Sequence, residues 1–440
     1  MISKQLQKAR EFEKEHIGKI LPKERPAYHV TGGSGWINDP NGFSYYQGEY
    51  HVFHQYHPYS NAWGPMHWGH LVSRDLISWE RRPAVMAPDM EYDGAGCFSG
   101  SAVTLPDGRQ LLMYTGVAKT PDGGVRQTQC LAVGDGTDYE KYGENPVISG
   151  KNLPEGGSLA DFRDPKIWQE DGRYCAVATN ALADGNSTIL LYESEDAFHW
   201  KYAGEIDRSD RRLGGMWECP DFFPLDGSID FYAPQTLEAP DGRRIMIAWM
   251  QSWSNSKFPP KGFGYFGQMT VPRELSFVDG KLIQKPVREL EAYRGTGVRH
   301  EEVVISEETS LEGVRGRVAD LTVELAVDGG FREFVLKVAC DEDFETLVAY
   351  DAERQVLVLD RSHSGYLCDI VHRRELAVAP VDGKVTLRCL LDRYSLEVFI
   401  NGGEQTATTT LYTRTEADEI RFSAVGKAKV SVEMYELKLA

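Results

Sequence analysis

The sequence lacks any run of apolar residues long enough for the core of a secretion signal or a membrane span. Its N-terminus, MISKQLQKAREFEKEHIGKI, alternates charges instead, which predicts a protein that stays in the cytoplasm. Basic charge is also in short supply. Lys and Arg number 48 against 66 acidic residues, a formal net charge of −18 that argues against nucleic acid or an anionic membrane as partner and is read as serving solubility. The seven cysteines are scattered, odd in number and never spaced C-x-x-C, so neither a disulfide framework nor a zinc site is indicated and reduced thiols are expected. Helical periodicity is confined to residues 1–25, where opposite charges at Lys8 and Glu11 and at Glu15 and Lys19 predict a charged surface helix. His51, His54 and His57 recur every third residue, but a strand of period two sends neighbours in that series to opposite faces, which argues against a metal cluster.

What the chain has in quantity is aromatic residues and turns. Twenty-one Tyr, 18 Phe and 9 Trp could serve a core or the apolar faces of sugars. A turn ending in Gly precedes an apolar strand-like run at Gly48, Gly108, Gly172 and Gly242, at spacings of 60, 64 and 70 residues. Each run reads as the second strand of a hairpin, with NDPNGFSYY, FSGSAVTL, FRDPKIWQ and FYAPQTLEA as the first strands. Units of this size, each too small to bury both its faces, predict blades of a β-propeller whose inner strands line a central channel. Asp39, Phe98, Arg163, Asp164 and Glu218 would then converge on one funnel. From about Gly297 the texture changes to alternating strands and polar turns, which predicts a separate β-sandwich.

Glycosidic cleavage by two carboxyl groups needs one ionised and one protonated, so their surroundings must differ. Asp39, in W-I-N-D-P-N-G, has amide side chains and turn backbone to solvate a carboxylate, as a nucleophile requires. Glu218 is flanked by Trp217, Cys219 and Pro220, an apolar setting that would raise its pKa. Asp164, between Arg163 and Lys166, is expected to remain ionised at neutral pH and suits hydroxyl binding. Each motif alone is also an ordinary turn or strand start near proline. Their joint occurrence at corresponding places in successive units favours the chemical reading.

W-I-N-D-P-N-G, F-R-D-P-K and W-E-C-P-D, in that order, resemble the three acidic signatures of glycoside hydrolase family 32, which holds invertases, sucrose-6-phosphate hydrolases, levanases and inulinases. HVFHQYHP, HWGHLVSRDLISW, FSGSAV, FYAPQT, GRRIMIAW, VPREL and LEVFINGG extend the likeness over residues 26 to 440. The resemblance implies an all-β chain: a five-bladed β-propeller over residues 26–292 and a β-sandwich over 298–440. It implies Asp39 as nucleophile, Glu218 as general acid and then base, and Asp164 as transition-state stabiliser. Asn38, Gln55, Trp63, Phe98, Ser99 and Arg163 would contact a fructosyl unit, Trp36 would line the pocket, and no cofactor would take part.

One departure stands out. Only 24 residues separate Glu218 from Gly242, so the fourth blade is expected to be shortened, lacking its middle and outer strands. A loop or a homo-oligomer contact would then have to cover the exposed edge. The function expected is a retaining β-fructofuranosidase acting on sucrose or sucrose 6-phosphate, with Lys261 considered as a phosphate contact. A fructosyltransferase, distinguished by its products at high sucrose, and a levan or inulin hydrolase are the alternatives among enzymes. A sugar-binding propeller without turnover is the alternative of another class, and it would be expected to lack one of the three acids.

Overall fold

A computed structural model of the chain describes residues 2–209, 216–220, 230–253, 260, 262–366 and 371–439. Helix α1 (Lys4–His16) comes first, capped by Ser3, whose Oγ accepts the Leu6 N–H at 3.1 Å. The first sheet follows as β1 (Gly35–Tyr46), β2 (Glu49–His57), β3 (His67–Ser73) and β4 (Trp79–Met86), and the second as β5 (Gly96–Thr104), β6 (Gln110–Lys119), β7 (Val125–Gly134) and β8 (Tyr139–Lys141). The third comprises β9 (Gly157–Glu170), β10 (Arg173–Leu182), β11 (Ser187–Ser194) and β12 (Lys201–Arg208). The last comprises β13 (Tyr232–Glu238), β14 (Arg244–Trp249), β16 (Arg273–Val278) and β17 (Lys281–Pro286). Between these last strands, β15 (Tyr265–Phe266) returns to pair in parallel with β1.

Each glycine picked out by the repeat does precede the second strand of a sheet. The turns show why. At Gln47-Gly48 and Asp171-Gly172 both residues have positive φ, the geometry of a two-residue turn whose twist matches that of the flanking strands. The first strands face one another across an axis, β1 against β5 and β13, and β5 against β9. This is the arrangement of a β-propeller. The segment expected to hold the shortened fourth blade falls mostly outside the described residues.

Each inner strand carries a β-bulge at a corresponding place. Asn38 and Asp39 together oppose Gln55, Ser99 is the extra residue between Phe98 and Gly100, Asp164 and Pro165 oppose Ala178, and Ala233 and Pro234 oppose Ala248. A bulge breaks the alternation of a strand and re-aims one side chain. In three of the four, the bulge turns polar side chains, Asn38 and Asp39, Ser99, and Asp164, toward one pocket.

The first helix lies at the surface as its charges predict, and one stripe of it, Leu6, Ala9 and Glu13, is buried where α1 docks on β4. Arg10 donates to the Ala84 carbonyl at 2.7 Å and Glu13 accepts the Ala84 N–H at 3.0 Å, so the helix satisfies backbone groups of that edge strand.

After the propeller come β18 (Arg294–Ile305), β19 (Ala319–Ala326), β20 (Phe331–Cys340), β21 (Glu345–Asp351), β22 (Val356–His363), β23 (Arg373–Ala377), β24 (Lys384–Asp392), β25 (Ser395–Ile400), β26 (Gln405–Thr410), β27 (Glu419–Gly426) and β28 (Ala428–Leu437). They form a six-stranded and a five-stranded sheet that enclose one apolar core, in which Leu321, Val323 and Leu325 meet Phe334, Leu336 and Phe422. This is a β-sandwich. Polar groups tie it to the propeller. His29 lies between Asp392 (2.8 Å) and Glu397 (2.9 Å), and Arg273 ends its guanidinium on Glu397, Thr406 and Thr408, all of them buried.

Candidate active site

A pocket of about 380 Å³ opens at the bulged end of the channel. It brings together Asn38 and Asp39 from β1, Gln55 from β2, Phe98 and Ser99 from β5, Arg163 and Asp164 from β9, Glu218 from the segment before β13, and Trp63 from the loop between β2 and β3. Nine of the ten residues expected at the site therefore share one cavity.

The tenth, Trp36, does not line it. Trp36 is 1% exposed, turned beneath the floor where Trp249, Trp253 and Phe266 surround its ring. Its indole N–H donates to Asn38 Oδ1 at 2.7 Å, and Asn38 Nδ2 donates in turn to Asp39 Oδ1 at 3.0 Å. Trp36 thus acts on the pocket through Asn38 and through the Trp253 ring stacked on it.

Asp39 is held on both oxygens by neutral donors, Asn38 on one and the Ser99 hydroxyl on the other at 2.6 Å. Burial nonetheless raises its pKa, the Ser99 and Asn38 hydrogen bonds oppose that rise, and the nearby Glu218 charge adds to it. Asp164 corrects a second expectation. Of its two flanking cations, Lys166 turns away to the Thr236 carbonyl (2.9 Å), while Arg163 Nε stays 3.8 Å from Oδ2. Burial, reinforced by the Glu218 and Asp39 charges and opposed by Arg163, pushes the Asp164 carboxyl up to about 7. It is therefore shared between charged and neutral forms at neutral pH. The Cys219 N–H donates to its Oδ2 at 3.1 Å.

The surroundings of Glu218 differ from those inferred from Trp217, Cys219 and Pro220. Its carboxyl faces polar partners: Arg163 donates twice to Oε1, at 3.1 and 2.8 Å, and the Tyr232 hydroxyl donates to Oε2. The two acids of the pair thus sit in different environments, one among neutral donors and one on a guanidinium.

Four further lining residues escaped the sequence reading: Met66, Tyr232, Trp253 and Cys219, whose Sγ lies 3.5 Å from Asp39 Oδ2. Tyr232 had a signal, since FYAPQT opens the fourth inner strand as the acidic motifs open or flank the others. Among the described residues, no cluster of His, Cys, Asp and Glu is arranged to hold a metal ion. No helix among them is long and apolar enough to cross a membrane.

Unlike carboxyl groups converging at the mouth of a propeller, beside tryptophan faces, define a glycoside hydrolase. Sequence comparison agrees. Residues 29–229 and 225–286 match the glycosyl hydrolases family 32 N-terminal domain and residues 289–437 the family 32 C-terminal domain, and the chain belongs to that family. A sucrose-6-phosphate hydrolase of Zymomonas mobilis is 34% identical, covering 92% of this chain and 89% of its own length, and a raffinose invertase of Escherichia coli is also 34% identical, with 91% and 92% covered. A levanase of Bacillus subtilis is 34% identical over 94% of this chain and 70% of its own length. Among solved structures, a variant of a Bombyx mori β-fructofuranosidase in complex with sucrose superposes with a TM-score of 0.85 at 29% identity, covering 100% of this chain and 99% of that one.

The comparison with the Zymomonas protein runs over 472 aligned positions, more than the 440 residues here, so that relative carries residues this chain lacks. The match to the N-terminal family domain breaks into two pieces that overlap at residues 225–229, within the unit expected from the sequence to be shortened.

Proposed function

We propose that this protein is a retaining β-fructofuranosidase that hydrolyses sucrose or sucrose 6-phosphate. The observation that carries the reading is the placement of Asp39 and Glu218 in one pocket with unlike partners, Ser99 and Asn38 on the first, Arg163 and Tyr232 on the second. Relatives named for sucrose 6-phosphate hydrolysis and the sucrose-bound neighbour support the substrate class.

In the proposed reaction Asp39 attacks the anomeric carbon of the fructosyl unit while Glu218, as general acid, gives a proton to the departing glycosidic oxygen. A covalent fructosyl-enzyme and a free aldose result. Glu218 then removes a proton from water, which attacks the same carbon, frees fructose with its configuration retained and restores Asp39 as a carboxylate. Asp164 holds ring hydroxyls through a proton it can donate or withdraw. Arg163 keeps Glu218 directed at the leaving oxygen, and Phe98 and Trp63, whose rings lie edge to face 6.2 Å apart, flank the sugar. Retention requires the two carboxyl groups to stand about 5 to 5.5 Å apart.

The site residues, the domain limits 26–292 and 298–440 and a cytoplasmic setting are parts of the same proposal. Lys261 lies outside the described residues. The test is to measure kcat/KM for sucrose and for sucrose 6-phosphate and to follow the anomer of fructose first released by NMR. Release of the β-anomer from either sugar is expected. Initial release of the α-anomer would refute retention, and turnover of neither sugar would refute the function.

A further inference from the structure

Residues 87–95 join the first sheet to the second and lead directly into Gly96, Cys97, Phe98 and Ser99 of β5. A lysine from the far edge of the second sheet holds that connection. Lys141, the last residue of β8, places Nζ 2.5 Å from Asp89 Oδ1, 2.5 Å from Asp93 Oδ2 and 2.7 Å from the Ala87 carbonyl, with Cys97 Sγ at 3.8 Å. Asp93 is fully buried and saturated. Its Oδ1 accepts the N–H groups of Asp89 (3.1 Å) and Met90 (2.9 Å), and its Oδ2 accepts the Tyr114 hydroxyl (2.8 Å) besides Lys141.

From this anchor the backbone runs straight to the pocket. Gly96 N–H donates to the Asp93 carbonyl at 2.8 Å and Cys97 N–H to the Met66 carbonyl at 2.9 Å. Gln55 then donates to the Cys97 carbonyl (3.0 Å), Trp68 to the Phe98 carbonyl (3.1 Å), and Ser99 to Asp39. Burying one cation with two carboxylates is a poor source of stability compared with apolar packing, because desolvation offsets the attraction. What such a cluster supplies is direction, since every lone pair and N–H in it specifies where a neighbour must stand.

We infer that Lys141 and Asp93 are positioning residues of the active site: their ion pair sets where Phe98 and Ser99 stand and, through Ser99, how Asp39 is aimed. The inference rests on the function proposed above. Neither residue is among those lining the pocket, so an effect on the reaction is indirect, and the Asp93–Ser99 segment is the shortest covalent route to it.

The experiment compares the full-length parent with Lys141→Met and Lys141→Arg. Because Lys141→Met leaves two buried carboxylates uncompensated, Lys141→Met/Asp93→Asn is made as well and replaces it if the single variant does not fold. For each, kcat and KM for sucrose are measured well below its own Tm, and fructose affinity is followed by quenching of tryptophan fluorescence. The expected result is a fall in kcat/KM of about ten- to a hundredfold for the Met variants, mostly in kcat, as a displacement of reacting groups on the order of 1 Å produces, with Arg restoring most of it. A folded Met variant with a lowered Tm and the parent's kcat/KM would overturn the inference, as would a double variant that regains the parent's kcat along with its stability. If the parent binds fructose but does not cleave sucrose, the proposed function fails by itself and fructose affinity becomes the readout. Weaker binding in the Met variants then supports the positioning role and unchanged binding overturns it. A parent that neither cleaves nor binds overturns both.

Discussion

The Ser99 hydroxyl stands 2.6 Å from Asp39 Oδ2, joining the inner strands of two sheets at the floor of the pocket. Both residues sit in β-bulges, so the bond exists only because each strand breaks its alternation at the matching place. It opposes the rise that burial imposes on the Asp39 pKa. Replacing Ser99 with Ala should therefore raise that pKa further, move the acidic limb of the kcat/KM profile to higher pH, and lower kcat about tenfold. A pH–rate series on the parent and the variant checks this, and an unmoved acidic limb would contradict it.

Tyr232 tests the other half of the pair. Its hydroxyl reaches Glu218 Oε2 while Arg163 occupies Oε1. Tyr232→Phe frees one oxygen and leaves the ring in place, so kcat should fall about tenfold with KM little changed, as expected when a group that aims the acid is lost. Steady-state kinetics on sucrose are the check.

Asp164 should be costly to stability near neutral pH. Its carboxyl is held at about 7 in the folded chain, well above the usual aspartate value, so the folded state binds the extra proton across the interval between those values. Its contribution is most favourable below the unfolded pKa and declines as pH rises through the folded one. Asp164→Asn should consequently raise the stability at pH 7.5 by up to about 4 kcal/mol, with little gain near pH 4, while abolishing most turnover. Denaturant melts at the two pH values supply the measurement.

The junction between propeller and sandwich predicts a loss in the same direction at higher pH. Although burial lowers the His29 pKa, hydrogen bonds and charge from Asp392 and Glu397 outweigh it and raise it to about 9. A raised base contributes stability fully below its unfolded pKa and loses it as pH rises through the folded one. The parent should thus lose about 3 kcal/mol between roughly pH 6.5 and 9, and His29→Gln should flatten that slope while lowering stability at pH 6. Melts across that range decide it.

The strand order, the hairpins and the convergence of distant acids were legible because Gln47-Gly48 and Asp171-Gly172 encode their turns locally and because a recurring unit implies a ring. The direction of single side chains was not. Trp36 opens the first acidic motif and the family resemblance implies a pocket wall, yet a donor–acceptor pair with Asn38 and three neighbouring rings draw it underneath. Asp164 reads as pinned between two cations, but the bulge at Asp164 and Pro165 breaks the alternation and sends Lys166 elsewhere, and the Asp39 and Glu218 charges then add to burial against Arg163 alone. The docking of α1 was hidden because its charges suggested solvent, whereas Arg10 and Glu13 satisfy the backbone of Ala84.

The assignment of Asp39 as nucleophile is tested most directly by trapping the intermediate. The protein is incubated briefly with a fructoside carrying an activated leaving group, quenched in acid, digested and sequenced by mass spectrometry. A single fructosyl unit should be found on the peptide containing Asp39 and should vanish in Asp39→Asn. A label on Asp164 or Glu218, or burst release of the leaving group with no labelled peptide at all, would contradict the account.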